Sequence, residues 1–379
     1  MEFETAALHS GERPDKLYGA ISVPIYQTST FAMEDVGKTR GFEYTRSGNP
    51  TRKVLEDTLA TLEVGSRACA FASGMAAEST LVHLLRPGER ILAQKDLYGG
   101  SYRLFTDILK PWGIETDFVD AYDIGTLERA VSPATRMVWI ESISNPLLGV
   151  PDMPGIVRFA KDHSLFSVVD NTFASPVFCN PLTMGADIVV HSTTKYLNGH
   201  SDVIGGAVIT KDQALGERIA FLANALGTSQ APFDSWLVLR GLDTLALRVR
   251  AHEANALEAA HFLEAHPLVE RVYYPGLETH PSHDLAKRLL KGFGGMVSFL
   301  AKDGQEGAFR FLRNLRRFKL AGSLGGTHSL AQHPATMSHA TMPEAIRKAA
   351  GIEEGLVRLS IGLENSKDLL EDIQGALSA

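Results

Sequence analysis

The chain has 379 residues, 44% of them hydrophobic, enough to bury large cores and too long for one compact domain. A formal net charge of −7 and a pI near 6.0 leave no basic field for nucleic acid. Two cysteines, Cys69 and Cys179, imply no disulfide framework, the acidic start Met1-Glu2-Phe3-Glu4-Thr5 lacks signal-peptide order, and no apolar run reaches membrane-spanning length, so a soluble cytoplasmic protein is expected.

Residues 1–48 lack strand–helix alternation and carry Gly, Pro and many polar groups, which predicts an extended arm. From residue 49 onward, short β-rich runs alternate with helical ones. Strands are expected at Ala68–Ala72, Arg90–Ala93, Thr116–Val119, Met137–Glu141, Phe166–Asp170, Ile188–His191 and Ala207–Thr210. Helical period runs through Lys53–Leu62, Ala76–Leu85, Tyr102–Lys110 and Met153–Asp162. That alternation predicts a mostly parallel sheet covered by helices, with the site outside the strand ends. Past about Leu226 a long helical stretch, Ser235 to Glu264, leads into separate apolar runs at Val269–Tyr273, Met296–Leu300 and Val357–Ile361. A large domain over 49–235 and a smaller α+β domain over 236–379 are therefore expected.

Three local patterns carry chemistry. At Ala72-Ser73-Gly74-Met75-Ala76 an apolar strand breaks at Ser-Gly and turns into a helix, so the amides of Gly74 and Met75 suit a phosphate. At Val168-Val169-Asp170 a strand ends in a carboxylate. At His191-Ser192-Thr193-Thr194-Lys195 another strand delivers a lysine beside hydroxyls. Each is weak alone, because such residues are more often turn, cap or surface groups. Their order is what matters: phosphate turn, acid, then lysine is what an enzyme needs to hold pyridoxal phosphate covalently, with the acid keeping the ring nitrogen protonated as an electron sink.

These residues resemble a family, the pyridoxal-phosphate enzymes of cysteine and methionine metabolism, which includes cystathionine γ-lyase, cystathionine γ-synthase and methionine γ-lyase. The matching motifs are Tyr44-Thr45-Arg46-Ser47-Gly48-Asn49-Pro50, Tyr98-Gly99-Gly100, Glu141-Ser142-Ile143-Ser144-Asn145-Pro146, Thr194-Lys195-Tyr196-Leu197-Asn198-Gly199-His200 and Val357-Arg358-Leu359-Ser360. The resemblance implies an α/β fold of the aspartate-aminotransferase-like type (fold type I) with a seven-stranded, mostly parallel sheet. It implies that Lys195 carries the cofactor, Asp170 meets the ring nitrogen, Tyr98 stacks on the ring and assists proton transfer, and Ser192 and Thr194 join Gly74 and Met75 at the phosphate. By the same resemblance Tyr44 and Arg46 reach the neighbouring subunit's phosphate in a homotetramer built as a dimer of dimers. Asn145 and Arg358 would receive the substrate's α-carboxylate, with Ser323 and Thr336 near that pocket.

The implied chemistry is γ-elimination or γ-replacement on a sulfur amino acid or an activated homoserine. Arg103 matches an arginine that meets a distal carboxylate, and Gly100 stands where methionine γ-lyases carry cysteine; both favour cystathionine-type over methionine-type substrates, and a γ-lyase is expected slightly ahead of a γ-synthase. Gly322, where cystathionine γ-enzymes carry glutamate, and Arg250, where many members carry an acid, depart from the pattern and predict relaxed specificity. No metal site is expected, since His328 and His333 lack acidic or thiol companions at a zinc-like spacing, and His339 adds none. A non-catalytic nucleotide-binding protein of doubly wound fold would need a three-glycine fingerprint, which Ser73-Gly74-Met75-Ala76 does not supply.

Overall fold

The computed structural model describes residues 1–11 and 13–379. Among the described residues the strands are β1 (Arg67–Phe71), β2 (Arg90–Gln94), β3 (Glu115–Val119), β4 (Thr135–Glu141), β5 (Phe166–Asp170), β6 (Ile188–His191), β7 (Gly206–Thr210), β8 (Val269–Tyr273), β9 (Met296–Ala301), β10 (Lys319–Leu320), β11 (Leu330–Gln332) and β12 (Leu356–Ser360). β1 to β7 form a seven-stranded sheet of order β1-β7-β6-β5-β4-β2-β3. β2 pairs in parallel with both β3 and β4, and β4 with β5, whereas β7 runs antiparallel to β1 and β6. The expected α/β architecture with a mostly parallel sheet is what forms.

The chain divides into two compact units, Met1–Leu84 with Asn180–Ala246, and Leu85–Cys179 with Leu247–Ala379. In the first, helix Pro50–Leu62 starts where Asn49 accepts from the Thr51 and Arg52 amides and Pro50, which has no amide hydrogen to satisfy, takes the first helical position. The region before it is not wholly extended. Phe3–His9 is a short helix with Ala6 and Ala7 buried, and the Ser10 carbonyl accepts from Thr58 Oγ1 at 3.3 Å. Cys69 in β1 is a buried thiol, and burial, aided by the Glu56 carboxylate, pushes it up to about 12.

In the second unit, β10-β11-β12-β9-β8 makes a five-stranded sheet whose apolar face includes Phe299, packed edge-on against Phe311 at 5.0 Å. The long helical stretch is two helices, Pro232–Leu242 in the first unit and Leu245–Glu264. No helix among the described residues is long and apolar enough to cross a membrane.

Two buried histidines of the second unit accept no proton easily. His252 Nδ1 lies 2.7 Å from the Ile361 carbonyl and His280 Nε2 3.4 Å from that of Leu147; burial first pushes each down to about 4 from 6.5. A folded pKa below the unfolded one means that the unfolded chain binds more protons between the two values, so this stability is complete above pH 6.5 and is lost as pH falls toward 4. Urea unfolding across that window should show a falling midpoint, with a shallower fall in His252→Asn. A slope unchanged by that substitution would remove His252 as a source.

Candidate active site

In the first unit, Ser73 is extended, and its Oγ accepts from the Ala76 amide at 3.0 Å to cap helix Gly74–Leu81. Neither the Gly74 nor the Met75 amide has a partner among the described residues. The turn is pressed into place by two close approaches: a Cβ on Gly206 would lie 2.2 Å from the Ser73 carbonyl oxygen, and one on Gly74 would lie 3.0 Å from Ser192 Cβ. At Gly206 only glycine permits the approach, and at Gly74 a side chain would press on Ser192. The result is a small cradle with two unclaimed amides at a positive helix end and the Ser192 hydroxyl beside it, the donor set that a phosphate fits.

Lys195 lies in the turn that follows β6, beyond its last strand residue, His191. Its amide donates to the Ser192 carbonyl at 3.2 Å, and its carbonyl accepts from Gly199 N at 2.7 Å. Those bonds fix the backbone under a half-buried side chain. Thr194 Oγ1 is already engaged, donating to the Gly205 carbonyl at 3.2 Å and accepting from its amide at 2.9 Å, so meeting a phosphate requires exchanging the longer bond.

Tyr44 and Arg46 sit on the exposed arm, where Arg46 Nη1 donates to the Asn224 carbonyl at 2.9 Å and its guanidinium lies 5.7 Å from the Tyr44 ring centre. Neither side chain bonds Gly74, Met75, Ser192 or Thr194. Their backbone is anchored from below by the buried Arg52, whose Nη2 donates to the carbonyls of Thr45 at 2.7 Å and Arg46 at 3.2 Å.

In the second unit, the carboxyl ends of β2, β4 and β5 place Gln94, Glu141 and Asp170 along one edge of the sheet, with Glu141 and Asp170 in register. Such an edge is where open α/β sheets build sites. Asp170 Oδ1 accepts from the Thr172 amide at 2.8 Å. Glu141 Oε1 accepts from the Tyr98 amide at 2.7 Å and Oε2 from the Asn145 amide at 2.9 Å.

Arg358, only 3% exposed within β12, is the centre of a second cluster. Its Nη1 donates to Asn145 Oδ1 at 2.7 Å and its Nη2 to the Ser323 carbonyl at 3.1 Å, while the Gln332 amide oxygen, turned inward, lies 2.9–3.1 Å from the guanidinium nitrogens. Asn145 Oδ1, the Ser323 carbonyl and the Gln332 amide are neutral acceptors, and together they fix the guanidinium in place. Ser323 adopts φ 84, a strained conformation for a residue with a side chain. His339 Nε2 donates to the Asn145 carbonyl at 3.2 Å; burial first, and then the Arg358 charge, push His339 down to about 4, so it stays neutral. Thr336 Oγ1 pairs with His333 Nδ1 at 2.9 Å instead of with Arg358 or Asn145. Arg103, exposed in the last turn of helix Gly99–Arg103, has no hydrogen-bond partner among the described residues, and a Cβ on Gly322 would meet nothing within 4 Å.

Sequence reasoning thus named Asn145, Ser323 and Arg358, which the structure brings together, and missed Ser73, Glu141, Gln332 and His339. Glu141 was accessible: it is an acid closing an apolar strand, the signal that singled out Asp170. His339 and Gln332 carry no such signal, because only the return of distant strands puts them there.

The chain is 48% identical to a cystathionine β-lyase of Coxiella burnetii over 99% of its length and 97% of the relative's. It is 47% identical to a cystathionine γ-synthase of Mycobacterium bovis over 98% of its length and 96% of the relative's. The crystal structure of cystathionine γ-lyase from Lactobacillus plantarum, complexed with L-serine, superposes with a TM-score of 0.97 at 45% identity, covering 100% of this chain and 99% of that one. Residues 4–378 match the family described as Cys/Met metabolism PLP-dependent enzymes. The fold is that of these pyridoxal-phosphate enzymes, fold type I, and the unclaimed amides at Gly74 and Met75 fit the cofactor's phosphate. The chain belongs to the Cys/Met metabolism PLP-dependent enzyme family.

Proposed function

We propose that the chain breaks the γ carbon–sulfur bond of cystathionine, taking up one water and releasing cysteine, 2-oxobutyrate and ammonia. The observation that carries this reading is the buried Arg358 guanidinium, fixed by Asn145 Oδ1 and the Ser323 carbonyl. It is a receiver for the α-carboxylate of an amino acid. Pyridoxal phosphate, when bound, supplies the electron sink for the pair left at the substrate's α-carbon. Lys195 would hold it, Asp170 would meet its ring nitrogen, Tyr98 would cover the ring, and Gly74, Met75, Ser192 and Thr194 would hold the phosphate.

On this reading Lys195 Nζ takes the α-proton and serves again at the β-carbon, while the Tyr98 phenol delivers a proton to the departing sulfur. Ser323 and Thr336 border the carboxylate pocket, and Arg103, with a free guanidinium, meets the distal carboxylate. No metal takes part. We also propose a 1–48 arm, a cofactor domain over 49–235 and a smaller domain over 236–379, in a cytoplasmic homotetramer. The arm would carry Tyr44 and Arg46 to the neighbouring subunit's phosphate.

A second reading is favoured by the 48% identity to a cystathionine β-lyase: cleavage on the other side of the same sulfur, giving homocysteine, pyruvate and ammonia. A third, γ-replacement, is favoured by the 47% identity to a cystathionine γ-synthase. Product analysis separates them. With L-cystathionine, 2-oxobutyrate and cysteine should appear in equal amounts. Pyruvate and homocysteine would move the assignment to β-cleavage, and faster formation of cystathionine from an O-acylhomoserine and cysteine would move it to synthesis.

Borohydride reduction of the holoenzyme followed by peptide mapping should place the pyridoxyl group on Lys195; its appearance on another lysine would end this site assignment. Mixing Arg46→Ala with Lys195→Ala subunits should restore part of the activity, because one hybrid site inherits both wild-type residues. No recovery after proven subunit exchange would mean that each site is built from one chain.

A further inference from the structure

We propose that Glu141 is a positioning residue that holds Tyr98 and Asn145 as one rigid piece, so that the ring-covering group and the carboxylate receiver move together or not at all. The inference rests on the roles proposed above for Tyr98, Asn145 and Arg358.

The two oxygens of this buried carboxylate have separate uses. Oε1 accepts from the amide of Tyr98, 43 residues away in sequence, at 2.7 Å, and Oε2 from that of Asn145 at 2.9 Å. Glu141 is itself held: its amide donates to Gln94 Oε1 at 3.0 Å, and Gln94 Nε2 donates to Asp96 Oδ1 and to Tyr122 Oη, both at 3.0 Å. Tyr122 Oη, which donates to Asp96 Oδ2 at 2.6 Å, lies 3.0 Å from the Ser144 hydroxyl, one residue before Asn145. Both clamped residues are also pressed from the far side. A Cβ on Gly99, next to Tyr98, would sit 2.3 Å from the Ser338 carbonyl oxygen, and His339 holds the Asn145 carbonyl.

Only a carboxylate does this with one side chain. A glutamine has a single acceptor oxygen, so its NH2 would face one of the two amide hydrogens, donor against donor. An aspartate keeps the charge but is one methylene short of spanning both. Displacement at Asn145 passes straight to the guanidinium through its 2.7 Å bond to Arg358 Nη1.

The test uses holoenzyme carrying Glu141→Gln or Glu141→Asp, with Tyr98→Phe and Arg358→Lys as references, and three readouts: circular dichroism of the bound cofactor without substrate, the separate values of KM and kcat, and the melting temperature. Glu141→Gln should alter the cofactor band and also raise KM about ten- to a hundredfold, the loss of one hydrogen bond to a charged group. Tyr98→Phe should alter chiefly the band and Arg358→Lys chiefly KM. Where Glu141→Gln does not fold, Glu141→Asp carries the same paired readout.

A lower melting temperature with band and KM as in wild type would overturn the proposal, leaving Glu141 a purely structural group. A change in one readout without the other would also overturn it, since the two ends would then be independent. If Tyr98→Phe and Arg358→Lys themselves leave both readouts unchanged, the site roles fail, and this inference falls with them for that distinct reason.

Discussion

A guanidinium buried in a strand is the constraint on which the second unit depends. Arg358 interrupts the apolar run Leu356-Val357-Arg358-Leu359, and an ion removed from water there is tolerable only inside a shell of oriented oxygens. Asn145 Oδ1, the Ser323 carbonyl and the Gln332 amide provide that shell. Each arrives from a different part of the chain and needs its own support: Asn145 from Glu141 and His339, Ser323 from a left-handed backbone, and Gln332 from β11, paired with β12 opposite Arg358 itself. Glu141, His339 and Gln332 thus all support the one buried guanidinium.

The first unit solves the converse problem. There the recurring feature is absence of bulk: Gly206 lets the Ser73 carbonyl approach and Gly74 admits Ser192, so a helix begins with two amides that nothing among the described residues uses. Anionic ligands are drawn to such an end by its dipole and by donors already aligned before binding. A positive centre in one unit and a positive helix end in the other match the two kinds of negative group, carboxylate and phosphate, that the family's substrates and cofactor present.

Much of this was legible in the sequence because period and punctuation are local. β5 and β6 fall where expected to the residue, and helix Met153–Asp162 does too. Failures arise where a distant contact overrides the local pattern. Tyr102–Lys110 reads as one helix, yet the chain passes from an α-turn at Gly99–Arg103 to a π-turn at Leu104–Leu109 and a 3-10 turn at Lys110–Trp112. Pro111 explains it: lacking an amide hydrogen and crowding the carbonyl four residues back, it cannot continue an α-helix, and widening the preceding turn relieves the clash. The stretch from Ser235 to Glu264 likewise splits after Leu242, next to Gly241, whose absent side chain lets the Asn198 backbone come close. β10 and β11, two and three residues long, are too short to show any period. At the candidate site Asn145, Ser323 and Arg358 come together and Thr336 pairs with His333 instead, whereas Gln332 and His339, which reach Arg358 and Asn145 only through the return of distant segments, carry no local signal.

The buried thiol of Cys69 has a chemical consequence for a protein of cysteine and methionine metabolism. Nucleophilic exchange with a disulfide requires a thiolate, and a thiol pushed up to about 12 offers almost none at neutral pH. At neutral pH Cys69 therefore presents no ready sulfur to be captured as a mixed disulfide. Burial at this one position thereby insulates the chain from thiol–disulfide exchange.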